Sequence, residues 1–186
     1  MLAKTPEGEA CLIARVAGGD RRAFEALYRA YHPRLTRFLR RMTQSAALID
    51  EIVNDTLLAV WRKAATFDGS SKVSTWVFAI GYRRACNALR ALDEPVETLD
   101  DDREGLDSHR PDWQLDQQRL AHAVDAALAT LPLAQRAAFQ LTFYHDMSYT
   151  EIAEIMECPV NTVKTRMFHT RKRLAALLEH QLEGRP

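Results

Sequence analysis

The chain has 186 residues, 47% of them hydrophobic and 27% charged, so it can bury a core in one domain or two small ones and does not belong to a disordered class. Its three cysteines, Cys11, Cys86 and Cys158, stand far apart without a C-x-x-C pair, which argues against both a disulfide framework and a zinc site. The 25 basic and 25 acidic residues cancel, no apolar run approaches a membrane span and no signal peptide opens the chain, so a reduced, cytoplasmic setting is expected.

Helical periodicity dominates, and strand-like alternation is nearly absent. Phe24, Leu27, Tyr28, Tyr31, Leu35, Phe38, Leu39 and Met42 recur at spacings of three and four, with Pro33 inside the pattern predicting a kink or break near His32. This segment is also basic: residues 15–41 carry eight arginines against Asp20 and Glu25. Ile49, Ile52, Val53, Leu57, Val60 and Trp61 form a second apolar stripe, ending before FDGSS. A third helix is expected over roughly Thr75 to Leu92, with Trp76, Ile80 and Leu89 inward.

Periodicity then stops. Residues 93–107 hold eight acids against Arg103, and the stretch to 112 contains Pro95, Gly105 and Pro111, the composition of a linker. It resumes with Leu120, Val124, Leu128 and Leu131, is punctuated by Pro132, and continues in a helix to about Tyr144. The expected fold is all-α: two small helical domains, 10–92 and 115–180, joined by a flexible acidic linker over 93–114.

Ser148-Tyr149-Thr150-Glu151 is a capping box, in which the serine hydroxyl accepts from the Glu151 backbone and the glutamate reaches back. Ile152, Ala153, Ile155 and Met156 give this short helix an inward face, Pro159 ends it, and Asn161 is the expected N-cap of the next helix. Two short helices and a tight turn make a helix-turn-helix. From Cys158 to Leu178 the chain carries five bases and no acid. Val163, Met167 and Leu174 are spaced for burial, which leaves Lys164, Thr165, Phe168, Arg171 and Lys172 outward, flanked by Arg166 and His169. Such a helix fits a DNA major groove, where Arg and Lys reach guanine and Thr or Phe touches a thymine methyl. A merely solvated basic helix is the bland alternative.

The stretch LPLAQRAAFQLTFYHDMSYTEIAEIMECPVNTVKTRMFHTRKRL resembles region 4 of the extracytoplasmic-function (ECF) group of bacterial RNA polymerase sigma factors. DRRAFEALYRAYHPRLTRFLRRM, DEIVNDTLLAVWRKAATFDG and STWVFAIGYRRACNALR resemble successive parts of region 2. The resemblance covers about residues 12–180 and implies a subunit that binds core RNA polymerase and directs it to promoters. Region 4 is then expected to read the upstream, minus-thirty-five element as duplex through Thr162, Lys164, Thr165, Arg166, Phe168, His169, Arg171 and Lys172. Region 2 is expected to dock on the polymerase clamp through Asp50, Glu51, Asn54, Asp55 and Trp61. It also captures the melted minus-ten strand: Ser70, Ser71 and Ser74 offer hydrogen bonds to a flipped base and Lys72 a phosphate grip. Trp76, Phe78 and Tyr82 offer stacking, and Arg83, Arg84 and Arg90 further phosphate grips. Without the resemblance, an acidic face such as that of Asp50, Glu51, Asn54 and Asp55 is usually an ordinary solvated one; only the family match favours docking.

The acidic linker either mimics RNA charge inside the polymerase or is a plain soluble tether. The resemblance implies no catalytic chemistry, no metal and no cofactor. Members of the group are often held by an anti-sigma partner, which the sequence neither names nor excludes. Against the family's pattern, Glu157 stands where the turn usually has Gly, Asn161 replaces another Gly, Arg83 replaces a common Asn, and Thr165 replaces Ser. Rival readings are a stand-alone helix-turn-helix regulator, a helical phosphohydrolase suggested only by His145-Asp146, and a helical adaptor. Cys158 in the turn is either a redox switch or, more commonly for a free cysteine, a buried side chain.

Overall fold

The computed structural model describes residues 6–93, 127–128 and 130–183, and among these every regular element is helical. Four helices form the N-terminal part: α1 (Pro6–Ala17), α2 (Arg21–Leu39), α3 (Ala46–Lys63) and α4 (Val73–Asp93), with a 3-10 turn at Ala64–Thr66. Three form the C-terminal part: α5 (Leu133–Phe143), α6 (Tyr149–Ile155) and α7 (Val160–Glu183). Most of the acidic linker and the Leu120–Val124 periodicity lie outside the described residues.

Helix α1 lacks a counterpart in the sequence reading, and its end is written in small residues. Gly19 takes the left-handed φ of +84° that ends a helix without a Cβ clash, and its N–H donates to the Val16 carbonyl at 2.9 Å. Asp20 then caps α2, its Oδ1 accepting from the Arg22 and Ala23 backbone N–H groups at 2.9 and 3.1 Å. Those bonds, with Arg15 alongside, hold the Asp20 carboxyl below its ordinary range.

Of the kink or break expected near His32, the break does not occur: α2 runs through Pro33 from Arg21 to Leu39. Tyr31 and Leu35 flank the proline and are both fully buried, so packing keeps the helix continuous despite the missing N–H donor. Helices α2, α3 and α4 share a core of Leu27, Tyr31, Leu35, Phe38, Ile52, Val53, Leu57, Val60, Val77 and Phe78. At its tightest point Gly81 of α4 faces Leu35 and Thr56, where an added Cβ would lie 3.1 Å from Leu35 Cδ2. Thr56 is buried there and donates its hydroxyl to the Ile52 carbonyl at 2.6 Å. On α4 the core residues are Val73, Val77, Phe78 and Ala85, together with the expected Ile80. Trp76 and Leu89, expected inward, are only half-buried. The helix starts two residues earlier than its periodicity suggests, with Val73 as its first anchor.

In the C-terminal part, Ala137, Ala138 and Leu141 of α5 pack with Ile152 and Ile155 of α6 and Val163 and Met167 of α7. This core is continuous with that of the N-terminal helices. A smaller apolar cluster gathers Ala127, Leu128, Leu131 and Leu174 around Phe139.

Candidate nucleic-acid interface

The capping box of α6 forms in full. Ser148 Oγ accepts from the Glu151 N–H at 3.3 Å, and Glu151 Oε2 accepts from the Ser148 N–H at 2.8 Å. Burial pushes the Glu151 carboxyl up, but the Lys72 ammonium and the Ser148 bonds outweigh it and leave the group below its ordinary range. Helix α6 ends at Ile155, and Glu157 takes a φ of +50°, the left-handed conformation usually given to Gly. A non-Gly residue adopts it at a cost of roughly 1 kcal/mol.

Asn161 is not the cap of the second helix. That helix begins at Val160, and the Pro159 carbonyl accepts from Thr162 and Val163 at 2.9 and 3.4 Å. Proline fixes the φ needed just before a first turn, so the turn needs no side-chain cap. Asn161 sits inside the first turn, and its carbonyl accepts from Thr165 Oγ1 at 3.0 Å.

On α7, Val163, Met167, Thr170 and Leu174 are buried, while Lys164, Thr165, Phe168, His169, Arg171 and Lys172 are exposed. Phe168 is 64% exposed, an aromatic ring offered to solvent on a basic helix. Thr162, Thr165, Arg166 and His169 share a shallow concavity of about 310 Å³ with Asn161 and Gln135. Gln135 comes from α5 and carries no local sequence signal for this role. Arg166 is tucked back, its guanidinium 3.4 Å from Cys158 Sγ and 3.9 Å from Met156 Sδ. Arg171 donates to Tyr149 Oη at 3.2 Å, tying α7 to the start of α6.

In the N-terminal helices, Asp50, Glu51, Asn54 and Asp55 line the outer side of α3, all exposed, beside an exposed Leu58. Two of them already have partners: Asn54 accepts from Tyr28 Oη at 3.1 Å, and Asp55 pairs with Arg84 of α4 at 2.7 Å. Trp61, one turn beyond Leu58 on the same side of α3, is half-buried and edge-on to Phe24 at 5.0 Å.

The loop before α4 is shaped by Asp68, whose Oδ1 accepts from the Ser70 N–H at 2.9 Å, and by Gly69 at a φ of +76°. Phe67, Ser70, Ser71 and Lys72 form one wall of an open groove of about 560 Å³. Ser148, Thr150, Glu151 and Glu154 of the C-terminal part form the other. Ser74 and Trp76 are half-buried, and the Trp76 ring meets Phe67 at 5.4 Å with the planes inclined by 56°. Phe78 is wholly buried and unavailable for stacking on a base. Tyr82 is half-buried, and burial with Cys86 close by pushes its phenol up.

Lys72 and Arg83 meet acids of the C-terminal part. Lys72 Nζ lies 2.8 Å from Glu151 Oε1, and Arg83 Nη1 lies 2.6 Å from Glu157 Oε1. Two of the four positions at which the sequence departs from the expected pattern, Arg83 and Glu157, therefore contact each other. Sequence reasoning placed both residues and had no signal for the pairing.

A helix-turn-helix with an exposed basic second helix, packed on a separate four-helix body, defines a two-part helical DNA-binding protein. Two family matches narrow this: Sigma-70 region 2 over residues 27–94 and Sigma-70, region 4 over residues 121–174. The chain is 32% identical to the ECF RNA polymerase sigma factor SigM of Mycobacterium tuberculosis over 177 residues, covering 95% of this chain and 87% of that one. It is 30% identical to the ECF RNA polymerase sigma-E factor of Haemophilus influenzae over 171 residues, covering 87% and 90%. Among solved structures it resembles CnrH in complex with the cytosolic domain of CnrY, with a TM-score of 0.68, 26% identity and coverage of 92% and 97%. It also resembles the sigma factor RpoE in complex with the anti-sigma factor NepR from Bartonella quintana, with a TM-score of 0.66, 25% identity and coverage of 84% and 96%. The chain belongs to the ECF group of RNA polymerase sigma factors.

Proposed function

We propose that this chain binds core RNA polymerase and directs it to a set of promoters, with the labour divided between its two helical parts. The carrying observation is the exposed basic face of α7 on a complete helix-turn-helix, in a chain that also has the region 2 body. Lys164, Thr165, Phe168, Arg171 and Lys172 face outward together, and a helix bearing them can enter a major groove. Arg and Lys there read guanine edges or hold phosphates, and Phe168 can meet a thymine methyl. Thr162, Arg166 and His169 border the same face.

Region 2 makes the other two contacts. The outer side of α3, with Asp50, Glu51, Asn54 and Asp55 beside Leu58, docks on the polymerase clamp. Ser70, Ser71, Lys72 and Ser74, with Tyr82, Arg83 and Arg84 on α4, hold the melted minus-ten strand. Extruding a base costs a few kcal/mol, which edge hydrogen bonds from the serines and stacking on Tyr82 or Trp76 offset. The acidic linker, 93–114, joins the two parts. The protein performs no chemistry of its own and needs no cofactor; it works in the cytoplasm, and an anti-sigma protein is a natural partner.

The division of labour is directly testable. Asp50→Arg with Glu51→Arg is expected to lower co-purification with core polymerase at least tenfold. Lys164→Ala with Lys172→Ala should leave co-purification intact and weaken binding to upstream duplex. The second pair should also flatten the dependence of log affinity on log salt by about one unit per lost phosphate contact. Equal loss of polymerase by both pairs contradicts the division.

A further inference from the structure

Helix α6 and its turn cover the face of α4 and the Asp68–Lys72 loop that the proposed function gives to the melted strand. The cover has an apolar centre and ionic edges. At the centre, His145 of the C-terminal part packs against the Phe38–Phe78 pair, at ring-centroid distances of 6.0 and 4.7 Å. At the edges, Glu151 meets Lys72 at 2.8 Å and Glu157 meets Arg83 at 2.6 Å. Ser70 and Ser71 look across the groove at Thr150 and Glu154.

A carboxylate at these distances from an ammonium or guanidinium occupies the place of a phosphate oxygen, since both anions satisfy the same donors in the same geometry. We propose that the helix-turn-helix acts as a competitor in cis for the melted strand, with Glu151 and Glu157 holding the two cations that the strand's phosphates require. The inference rests on the assignment of Lys72 and Arg83 to strand binding. Closure and full strand engagement are then mutually exclusive at these residues, and the free protein binds single strands below its intrinsic strength.

The outer ionic edge of the latch is its weak point. Arg83 and Glu157 are both more than half exposed, and ion pairs so placed contribute little each. A phosphate-rich partner, or a protein that draws the two parts to separate surfaces, displaces it readily. The energetic logic is a population shift: strand affinity is reduced by the fraction of molecules held closed.

Glu157→Gln isolates the charge, because glutamine inherits the same left-handed backbone and the residue lies outside the capping box. The expected result is three- to tenfold tighter binding of a fluorescein-labelled, mixed-sequence single-stranded oligonucleotide at low salt. The radius of gyration from X-ray scattering should rise as well. Glu157→Lys, which faces Arg83 with like charge, should go further in both measurements. Single-strand affinity unchanged in both variants, with circular dichroism confirming the fold, overturns the competition. Arg83→Ala and Lys72→Ala in the Glu157→Gln background separate the two levels of the claim. If they weaken strand binding while Glu157→Gln alone changes nothing, only the cis-competitor is wrong. If they too change nothing, the assignment of the strand-binding residues fails and the latch fails with it.

Discussion

His145 shows how one side chain can report on the contact between the two parts. It packs against the touching rings of Phe38 and Phe78, and its Nε2 is buried with no hydrogen-bond partner among the described residues. Burial first, and then the positive Arg34 and Arg37 of α2, push its pKa down to about 4, against a small opposing pull from Asp146. The folded protein therefore holds a neutral imidazole where the unfolded chain would gain a proton below about 6.5. Below that pH the unfolded state binds more protons, so stability falls as pH drops from about 6.5 towards 4 and levels off beneath it. Unfolding midpoints measured across this range are expected to fall. His145→Phe, which keeps an aromatic ring against the same neighbours, should flatten the fall. An identical pH slope in His145→Phe would show that this imidazole does not titrate with unfolding.

At the scale of helices, most of the organisation was legible because it is local. The capping box at Ser148–Glu151, the burial of Val163, Met167 and Leu174, and the exposed partners on α7 all follow from residues within one or two turns of each other. Local rules failed where packing overrode them. Pro33 does not break α2, because Tyr31 and Leu35 are anchored on both sides of it. Glu157 accepts a left-handed backbone that favours Gly, and Pro159 starts α7 in place of the expected Asn161 cap. Helix-to-helix distance is set by small residues that a periodicity search passes over. Gly81 is the case in point, with Leu35 Cδ2 at 3.1 Å from where a Cβ would sit. Gly81→Val is expected to cost about 1–3 kcal/mol through overpacking against Leu35 and Thr56, read as a lower urea midpoint with an unchanged slope. An unaltered midpoint would mean that α4 can move off α2 and α3 freely.

Across the whole molecule, what the sequence concealed is how the two parts meet. Arg83 and Glu157 are 74 positions apart, and no periodic pattern links them. The same holds for Lys72 with Glu151 and for His145 with Phe78. Segregated charge along the chain signalled that basic and acidic surfaces exist, but their pairing depends on tertiary contact. The assembled picture is one of surfaces with two uses: Asp55 and Arg84 satisfy each other across α3 and α4, and Lys72 and Arg83 are engaged by α6 and its turn. The exposed pairs Arg84–Asp55 and Arg83–Glu157 contribute between about 0 and 1 kcal/mol each, so a large partner can exchange them at modest cost. That fits a protein whose proposed work is to unfold its two parts onto a polymerase and a promoter.

The most direct test is transcription in vitro with purified bacterial core polymerase on a randomised promoter library, with and without this protein. The account predicts transcripts that depend on the protein and come from templates sharing two sequence elements, the upstream one lost when Lys164 and Lys172 are replaced by alanine. Initiation no different from core polymerase alone, by a protein whose fold and polymerase binding have been verified, would contradict it.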